Sequence, residues 1–284
     1  MNLISVVIPT INSPIKLNHL IKVLNNQSYK CKFEILIVNQ SLKNGIGESY
    51  YRSNNCRYFK VAFKNLSKAK NLGISKSLSR YISFLDDDVV VDKNHFRNAI
   101  NFFKKNNCSI LFGNIINIKN GKSISTHMSN KVCKINFNNL ATCMSSAMWI
   151  KSIPSNKKIL FEKKIGLGSI FGSGEETNYL IKSILKKNNI YYYPLLKVYH
   201  PDIFTNLKTR NSIFKKFYSY GLGQGALFKN ILKSNRGISL YLYLSSLFIS
   251  LILFFISVIK LDMKNLLKSS ALFLGKIKGF HTYK

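Results

Sequence analysis

Three consecutive aspartates, Asp86, Asp87 and Asp88, end an apolar run of strand type containing Tyr81, Ile82, Phe84 and Leu85. Adjacent carboxylates repel one another, which is costly in a protein core. At the carboxyl end of a buried strand they would line the crevice where open α/β sheets bind ligands. A divalent cation relieves the repulsion, and hard cations prefer oxygen donors. The triplet holds half of the six aspartates in a chain of 11 acidic and 43 basic residues. A solvated turn after a strand is the competing reading; metal binding is favoured. A second acidic pair, Glu175-Glu176, opens a predicted helix, where the helix dipole supports carboxylates. Their mutual repulsion raises one pKa towards the range useful to a general base. Simple charge complementation of a helix end is the alternative.

The elements that must position these groups are legible in the hydrophobic pattern. Leu3 to Ile8 is a short β-branched run of the kind buried on both faces in a parallel sheet. Pro9 to Pro14 breaks it, with Asn12 or Ser13 as cap of a helix that runs to about Asn26 with Leu17, Leu20, Ile21 and Leu24 on one face. Strands follow at Phe33 to Val38 and Arg57 to Phe63, then a helix at Leu66 to Leu78 capped by Ser67, then the strand Tyr81 to Leu85. The β-α-β-α-β order argues for a doubly wound, mostly parallel α/β sheet. Further on, a helix is predicted over Asn94 to Asn106, strands over Cys108 to Ile118 and Leu140 to Ile150, and a loop over Ser152 to Gly174. A helix from Glu175 to about Lys187 and a strand from Ile190 to Tyr199, broken at Pro194 and so an edge or two pieces, complete the pattern.

Beyond His200 the chain becomes basic and aromatic, and Ile238 to Ile259 is an uncharged apolar stretch of 22 residues, long enough to span a bilayer. Tyr241, Tyr243 and Lys260 stand where interfacial anchors belong. Leu266 to Phe280 carries Lys268, Lys276 and Lys278 and reads as an interfacial helix. Basic flanks at both ends leave the orientation of the long segment open, and an in-plane placement with it. The division expected is 1–205 for the α/β domain and 206–284 for a membrane-associated region.

The formal charge of +32 calls for an anionic partner: nucleic acid, an anionic membrane surface or a phosphorylated substrate. Its 37 Lys and 6 Arg are scattered and do not interleave with aromatics, so nucleic acid is disfavoured. Cys31, Cys56, Cys108, Cys133 and Cys143 form no zinc spacing, as in a reducing compartment, and no signal peptide is visible.

Six pieces in order resemble the family 2 glycosyltransferases of GT-A fold that build bacterial surface polysaccharides. They are Ser5-Val-Val-Ile-Pro-Thr10, Glu34-Ile-Leu-Ile-Val-Asn-Gln-Ser41, Leu66-Ser-Lys-Ala-Lys-Asn-Leu-Gly73, Tyr81-Ile-Ser-Phe-Leu-Asp-Asp-Asp88, Gly172-Ser-Gly-Glu-Glu-Thr177 and Val198-Tyr-His-Pro201. The resemblance implies a nucleotide-sugar donor (UDP-, GDP- or dTDP-linked), a lipid-linked saccharide acceptor and a divalent metal, Mn²⁺ or Mg²⁺. It places Asp86 near the ribose or metal, and Asp88 on the metal with His200 completing the shell; Asp87 is expected to point away or to bond backbone. Glu176 is implied as general base, with Glu175 binding or orienting acceptor. Pro9, Thr10 and Asn12 would wall the nucleoside pocket, Asn39 would accept from the base where the family usually has Asp, and Lys70 with Asn71 would lie beside the diphosphate. Lys68 and Lys70 as a solvated helix face is the competing reading. The enzyme would work at the cytoplasmic face of the membrane. A nucleotidyl or sugar-phosphate transferase, or a non-catalytic nucleotide-sugar-binding module, are the alternatives; the first is disfavoured because Pro9 to Asn12 lacks a glycine.

Overall fold

The computed structural model describes residues 3–11, 14–41, 51, 56–124, 130–140, 143–152, 159–201 and 209–284. The chain divides into two compact units, one of residues 1–64, 68–160 and 183–203, the other of 65–67, 161–182 and 204–284.

The first unit carries the sheet. Its strands are β1 (Ile4–Thr10), β2 (Phe33–Asn39), β3 (Cys56–Lys60), β4 (Tyr81–Phe84), β5 (Val90–Val91), β6 (Ile110–Asn117), β7 (Cys133–Lys134), β8 (Met148–Lys151) and β9 (Ile190–His200). They lie in the order β3-β2-β1-β4-β8-β6-β9-β5, with β7 also on β9. β3, β2, β1 and β4 pair in parallel, β8 runs against both β4 and β6, and β6 and β9 are again parallel. The α/β sheet predicted from the pattern is therefore present, and it is mixed: the longer pairings are parallel, while β8, β5 and β7 pair antiparallel. β1 and β2 are buried along nearly all their length, in keeping with their nearly continuous apolar runs, and the polar residues Ser5 and Glu34 within them bond each other at 2.6 Å.

Helix α1 (Pro14–Asn25) buries Leu17, Leu20, Ile21 and Leu24, the face its 3.6-residue period marks. Helix α2 (Leu66–Lys76) packs so closely that a Cβ on Gly73 would stand 2.3 Å from Cγ1 of Val7 in β1. Helix α3 (His95–Lys105) buries Phe96, Ile100 and Phe103. One apolar cluster joins α1 and α3 to Ile4, Val6, Ile35, Ile37 and Trp149, and each fully buried large aliphatic or aromatic side chain contributes about 1.5–3 kcal/mol.

Four local expectations are corrected. β1 continues through Pro9 to Thr10, because Pro9 pairs with Val38 in register and the ladder tolerates it there. Ser67 does not cap α2; its hydroxyl donates to the Ile165 carbonyl at 2.7 Å. The strand expected over 140–150 shrinks to β8, behind a single 3₁₀ turn at Ser145–Ala147. β9 is neither an edge nor divided at Pro194: the pairing with β6 skips from Tyr193 to Lys197, a bulge that frees Pro194 from donating. Gly113 lies opposite that bulge, where a Cβ would stand 2.1 Å from the Leu196 carbonyl oxygen. The caps proposed at Asn12 and Ser13 lie outside the described residues.

In the second unit, the glycine-rich stretch turns back on itself at Gly166, Gly168 and Gly174, all with positive φ. It leads into α4 (Glu175–Leu185). Helices α5 (Arg210–Leu232), α6 (Arg236–Ile259) and α7 (Met263–Thr282) follow. α5 and α7 meet through Gly221, Gly225, Gly275 and Gly279, where added Cβ atoms would fall 2.1–2.5 Å from backbone of the other helix. α6 is inside out. Its buried residues are Ser239, Tyr243, Ser250 and Ser257, while Leu244, Phe248, Ile249, Leu253, Phe255 and Ile259 are exposed. Tyr243 stacks on Phe280, ring centroids 4.1 Å apart, so of the two tyrosines expected as anchors only Tyr241 is exposed. Lys276 is buried too, its Nζ donating to the Ser246 carbonyl at 2.8 Å and to Ser250 Oγ at 2.7 Å.

Candidate active site

In the first unit the polar candidates gather at the carboxyl ends of neighbouring strands. The register pairs Thr10 with Asn39, and β4 beside β1 ends one residue before Leu85 and the aspartates. Thr10 Oγ1 donates to Asp87 Oδ2 at 2.5 Å. Asp87 therefore does not point away or bond backbone; it turns inward onto β1. Burial raises its pKa most, the neighbouring carboxylates add to that, and the bond from Thr10 opposes it. Its role here is to tie the triplet to the sheet.

β5 follows the triplet directly and pairs with β9, Val90 against Tyr199. That short antiparallel pairing brings His200 back to the aspartates. His200 Nε2 lies 3.6 Å from Asp86 Oδ2 and 3.8 Å from Asp88 Oδ1. Its Nδ1 is 2.7 Å from the Pro201 carbonyl oxygen, which can only accept, so Nδ1 carries a proton and donates. Burial pulls the His200 pKa down, but Asp86, the Pro201 carbonyl and Asp88 together outweigh it and leave it raised. Lys16 Nζ, from α1, stands 3.5 Å from Asp88 Oδ2, a half-exposed contact between residues far apart in sequence that no local pattern marks.

Two carboxylates and an imidazole with its far nitrogen held by a carbonyl fit a divalent cation in donor chemistry. Among the described residues no three His, Cys, Asp or Glu side chains converge as a formed cation site. The gaps from Nε2 are wider, by less than about 1 Å, than neighbouring ligands of an octahedral ion require.

Asn39 is buried and already committed. Its Nδ2 donates to Tyr58 Oη at 2.5 Å and its Oδ1 accepts from the Ser41 backbone N–H at 2.8 Å. The expected bond to a nucleobase would have to use the second lone pair of Oδ1. Tyr58 in turn stacks on Tyr51, centroids 5.3 Å apart, an aromatic pair beside Asn39 that sequence reasoning missed. Lys70 is no solvated helix face: it is 1% exposed and donates to Ser145 Oγ at 2.5 Å. Lys68 is exposed and lies over the Phe63 ring. Pro9 and Asn71 are buried, and Asn12 lies outside the described residues.

In the second unit, Glu175 and Glu176 form the first turn of α4 as expected. They differ in environment. Glu175 is 4% exposed and lies beneath Gly166, where a Cβ would come 3.0 Å from its carboxyl carbon. Glu176 is only partly buried. The loop before them is braced by Ser173 Oγ, which donates to the Tyr220 carbonyl at 2.9 Å, and by Gly223, where a Cβ would meet the Ser173 carbonyl oxygen at 2.0 Å. Tyr220 is a neighbour the sequence did not reveal: burial, then Glu175 and Glu176, raise its phenol pKa.

The sequence profile described as Glycosyl transferase family 2 matches residues 5–174. The chain is 25% identical over 202 residues to the poly(ribitol-phosphate) beta-N-acetylglucosaminyltransferase TarP of Staphylococcus aureus (strain N315), covering 66% of this chain and 59% of that protein. An uncharacterized glycosyltransferase of Rickettsia felis is 31% identical over 110 residues, 37% of this chain and 18% of that one. The chain thus spans less than two thirds of either relative. Among solved structures, S. aureus TarS 1-349 in complex with UDP superposes with a TM-score of 0.59 at 18% identity, over 78% of this chain and 65% of that one. The mannosyltransferase PcManGT from Pyrobaculum calidifontis, in complex with GDP-Man and Mn²⁺, gives 0.66 at 10% identity, over 98% and 87%. At these identities the likeness is one of fold, and that fold is GT-A.

Proposed function

The chain belongs to glycosyl transferase family 2, and on that premise we propose that it moves a sugar from a nucleotide-sugar donor to a lipid-linked saccharide acceptor, with inversion and with a divalent metal. The observation that carries the reading is the meeting of Asp86, Asp88 and His200 across β5 and β9. These three are the residues that would hold the metal. When bound, such an ion supplies Lewis-acid neutralisation of the diphosphate as it leaves.

The chain's own residues divide the remaining work. Thr10 fixes Asp87, and through it the backbone of its two neighbours. Asn39, the Tyr51–Tyr58 stack and Pro9 form the proposed nucleoside wall, to which Asn12 is assigned from the sequence alone. Lys70, held by Ser145, is assigned with Asn71 to the diphosphate, Lys70 as a point charge lacking the fork of Arg. Glu176 is assigned as the base that takes the acceptor hydroxyl proton as that oxygen attacks the anomeric carbon. Its partial exposure suits this better than the buried position of Glu175, which orients the turn. That TarS structures hold UDP and UDP-GlcNAc and the PcManGT structure holds GDP-Man supports the donor class.

The acceptor's lipid is supported by α6, the one helix among the described residues long and apolar enough to cross a membrane. Its outward apolar residues cover more than half of its circumference, too wide an arc for one protein partner to cover. With 43 basic residues the chain suits an anionic cytoplasmic membrane face.

The test is Asp88→Ala in the full chain purified in detergent. It is expected to lose metal-dependent turnover of a UDP-, GDP- or dTDP-sugar by at least about a hundredfold while its melting temperature in buffer stays that of wild type. Undiminished turnover would overturn the reading.

A further inference from the structure

A groove of about 440 Å³ opens at the carboxyl end of α6, between α5, α6 and α7. Its floor is apolar: Phe217 from α5, Leu253 and Ile256 from α6, and Leu272 from α7. Its rim is basic, with Lys260 just past α6 and Lys268 one turn and a half into α7. The floor continues into the exposed apolar side of α6, where Leu253 and Ile256 are 47% and 41% exposed. We infer that this groove is a binding site for one anionic glycerophospholipid of the bilayer, its phosphate between Lys260 and Lys268 and one acyl chain along Leu253, Ile256 and Leu272. The inference rests on the reading that α6 contacts a membrane.

Charge and shape both favour that occupant. The rim also contains Asp262, whose carboxylate caps α7: Oδ1 accepts from the Asn265 N–H at 3.0 Å and Oδ2 from Asn265 Nδ2 at 2.6 Å, so its oxygens face the helix end while its charge remains. Lys268 is held towards the groove by a bond from Nζ to Asn265 Oδ1 at 3.0 Å and lies 5.5 Å over the Phe217 ring. Burial, then the like charge of Lys264, disfavour its protonated form and Asp262 favours it; a phosphate beside Nζ would add to the favourable side. Two lysines against one aspartate leave a rim of net positive charge above a hydrocarbon-lined floor. A free phosphate would use the rim and leave the floor wet, whereas a lipid uses both. The volume lies in the range of small-ligand sites and holds a headgroup phosphate and part of a chain. The rest of the lipid would lie beside α6.

The 284-residue chain, delipidated in dodecyl maltoside, would be titrated with phosphatidylglycerol and with phosphatidylcholine and read by native mass spectrometry, with vesicle flotation in parallel. Three forms would be compared: wild type, Lys260→Gln/Lys268→Gln, and Lys278→Gln/Lys284→Gln, which removes the same charge elsewhere on the chain. The expected result is one retained phosphatidylglycerol on wild type and on the second variant, weakened about tenfold or more in the first. Inorganic phosphate should not displace it. Equal weakening in both variants, or displacement by phosphate alone, would overturn the site. Wild type that floats with phosphatidylglycerol vesicles yet retains no lipid would also overturn it while leaving the membrane reading standing. Absence of flotation would defeat the membrane reading itself.

Discussion

His95 offers a sharp test of the core around the sheet, because it is a histidine that cannot afford a charge. It is 1% exposed at the start of α3, and its Nε2 accepts from the Trp149 Nε1–H at 3.2 Å. Burial lowers its pKa from 6.5 to about 3. The folded value lies below the unfolded one, so the unfolded chain takes the proton first. The stabilisation is complete above pH 6.5 and drains away as pH falls towards 3. At pH 5 the unfolded state gains about 1.5 pH units of protonation, worth about 2 kcal/mol at about 1.4 kcal/mol per unit. For a domain of this size that corresponds to a fall of roughly 4–8 °C in Tm between pH 7 and pH 5 from this residue alone. The perturbation is His95→Gln, whose side-chain oxygen can still accept from Trp149 but does not titrate. Trp149 is the single tryptophan of the chain, so its fluorescence reports unfolding of this core directly. The variant's Tm at pH 7 is expected below that of wild type, and its further loss on going to pH 5 smaller by about 2 kcal/mol. A loss in the variant as steep as in wild type would refute the account.

Gly73→Ala should cost about 1–3 kcal/mol despite the gain in helix propensity, because the new methyl meets Val7 in β1. Adding Val7→Ala should recover part of that cost, a coupling that a double-mutant cycle in chemical denaturation would detect. Lys70→Met, which keeps the buried volume but not the charge bonded to Ser145, should weaken nucleotide-sugar binding about ten- to a hundredfold by calorimetry, and Lys68→Met should not. Gly225→Ala places a methyl 2.1 Å from the Lys276 carbonyl and should lower thermal stability of the helical unit, while Gly237→Ala, with nothing nearer than 3.9 Å, should leave it unchanged or raise it.

What the sequence revealed was what periodicity and composition encode. The β-branched runs gave β1, β2 and β4, the helical spacing gave α1 and α3, and the aspartate triplet stood at the end of its strand as read. Long-range partners were not encoded locally. Lys70 looks like one face of a Lys-x-Lys helix until Ser145 closes over it. Asn39 looks like a free acceptor until Tyr58 and the Ser41 turn engage it. Pro194 read as a strand breaker because a single chain does not display the facing Gly113 that makes room for a bulge. In α6 the hydropathy was plain but its direction was not, since the inward serines stand two to three turns apart among residues that mostly favour lipid.

The glycine contacts between α5 and α7 act as a mechanical stop. With Gly221 and Gly225 set against Gly275 and Gly279, the two backbones touch where side chains would normally keep helices 8–10 Å apart at their axes. Sliding either helix by one residue would drive a side chain into the other's carbonyls, so the pair has a single register and behaves as one rigid bar. The intervening chain, about fifty residues that include all of α6, must complete its turn before the bar can close, and each closure is a non-local event with an entropic toll. Assembly of the helices is then stepwise at one end and dependent on the bar at the other: Ser239 can rest on the Phe228 carbonyl of α5, but Ser250 meets Lys276 only once α7 has locked.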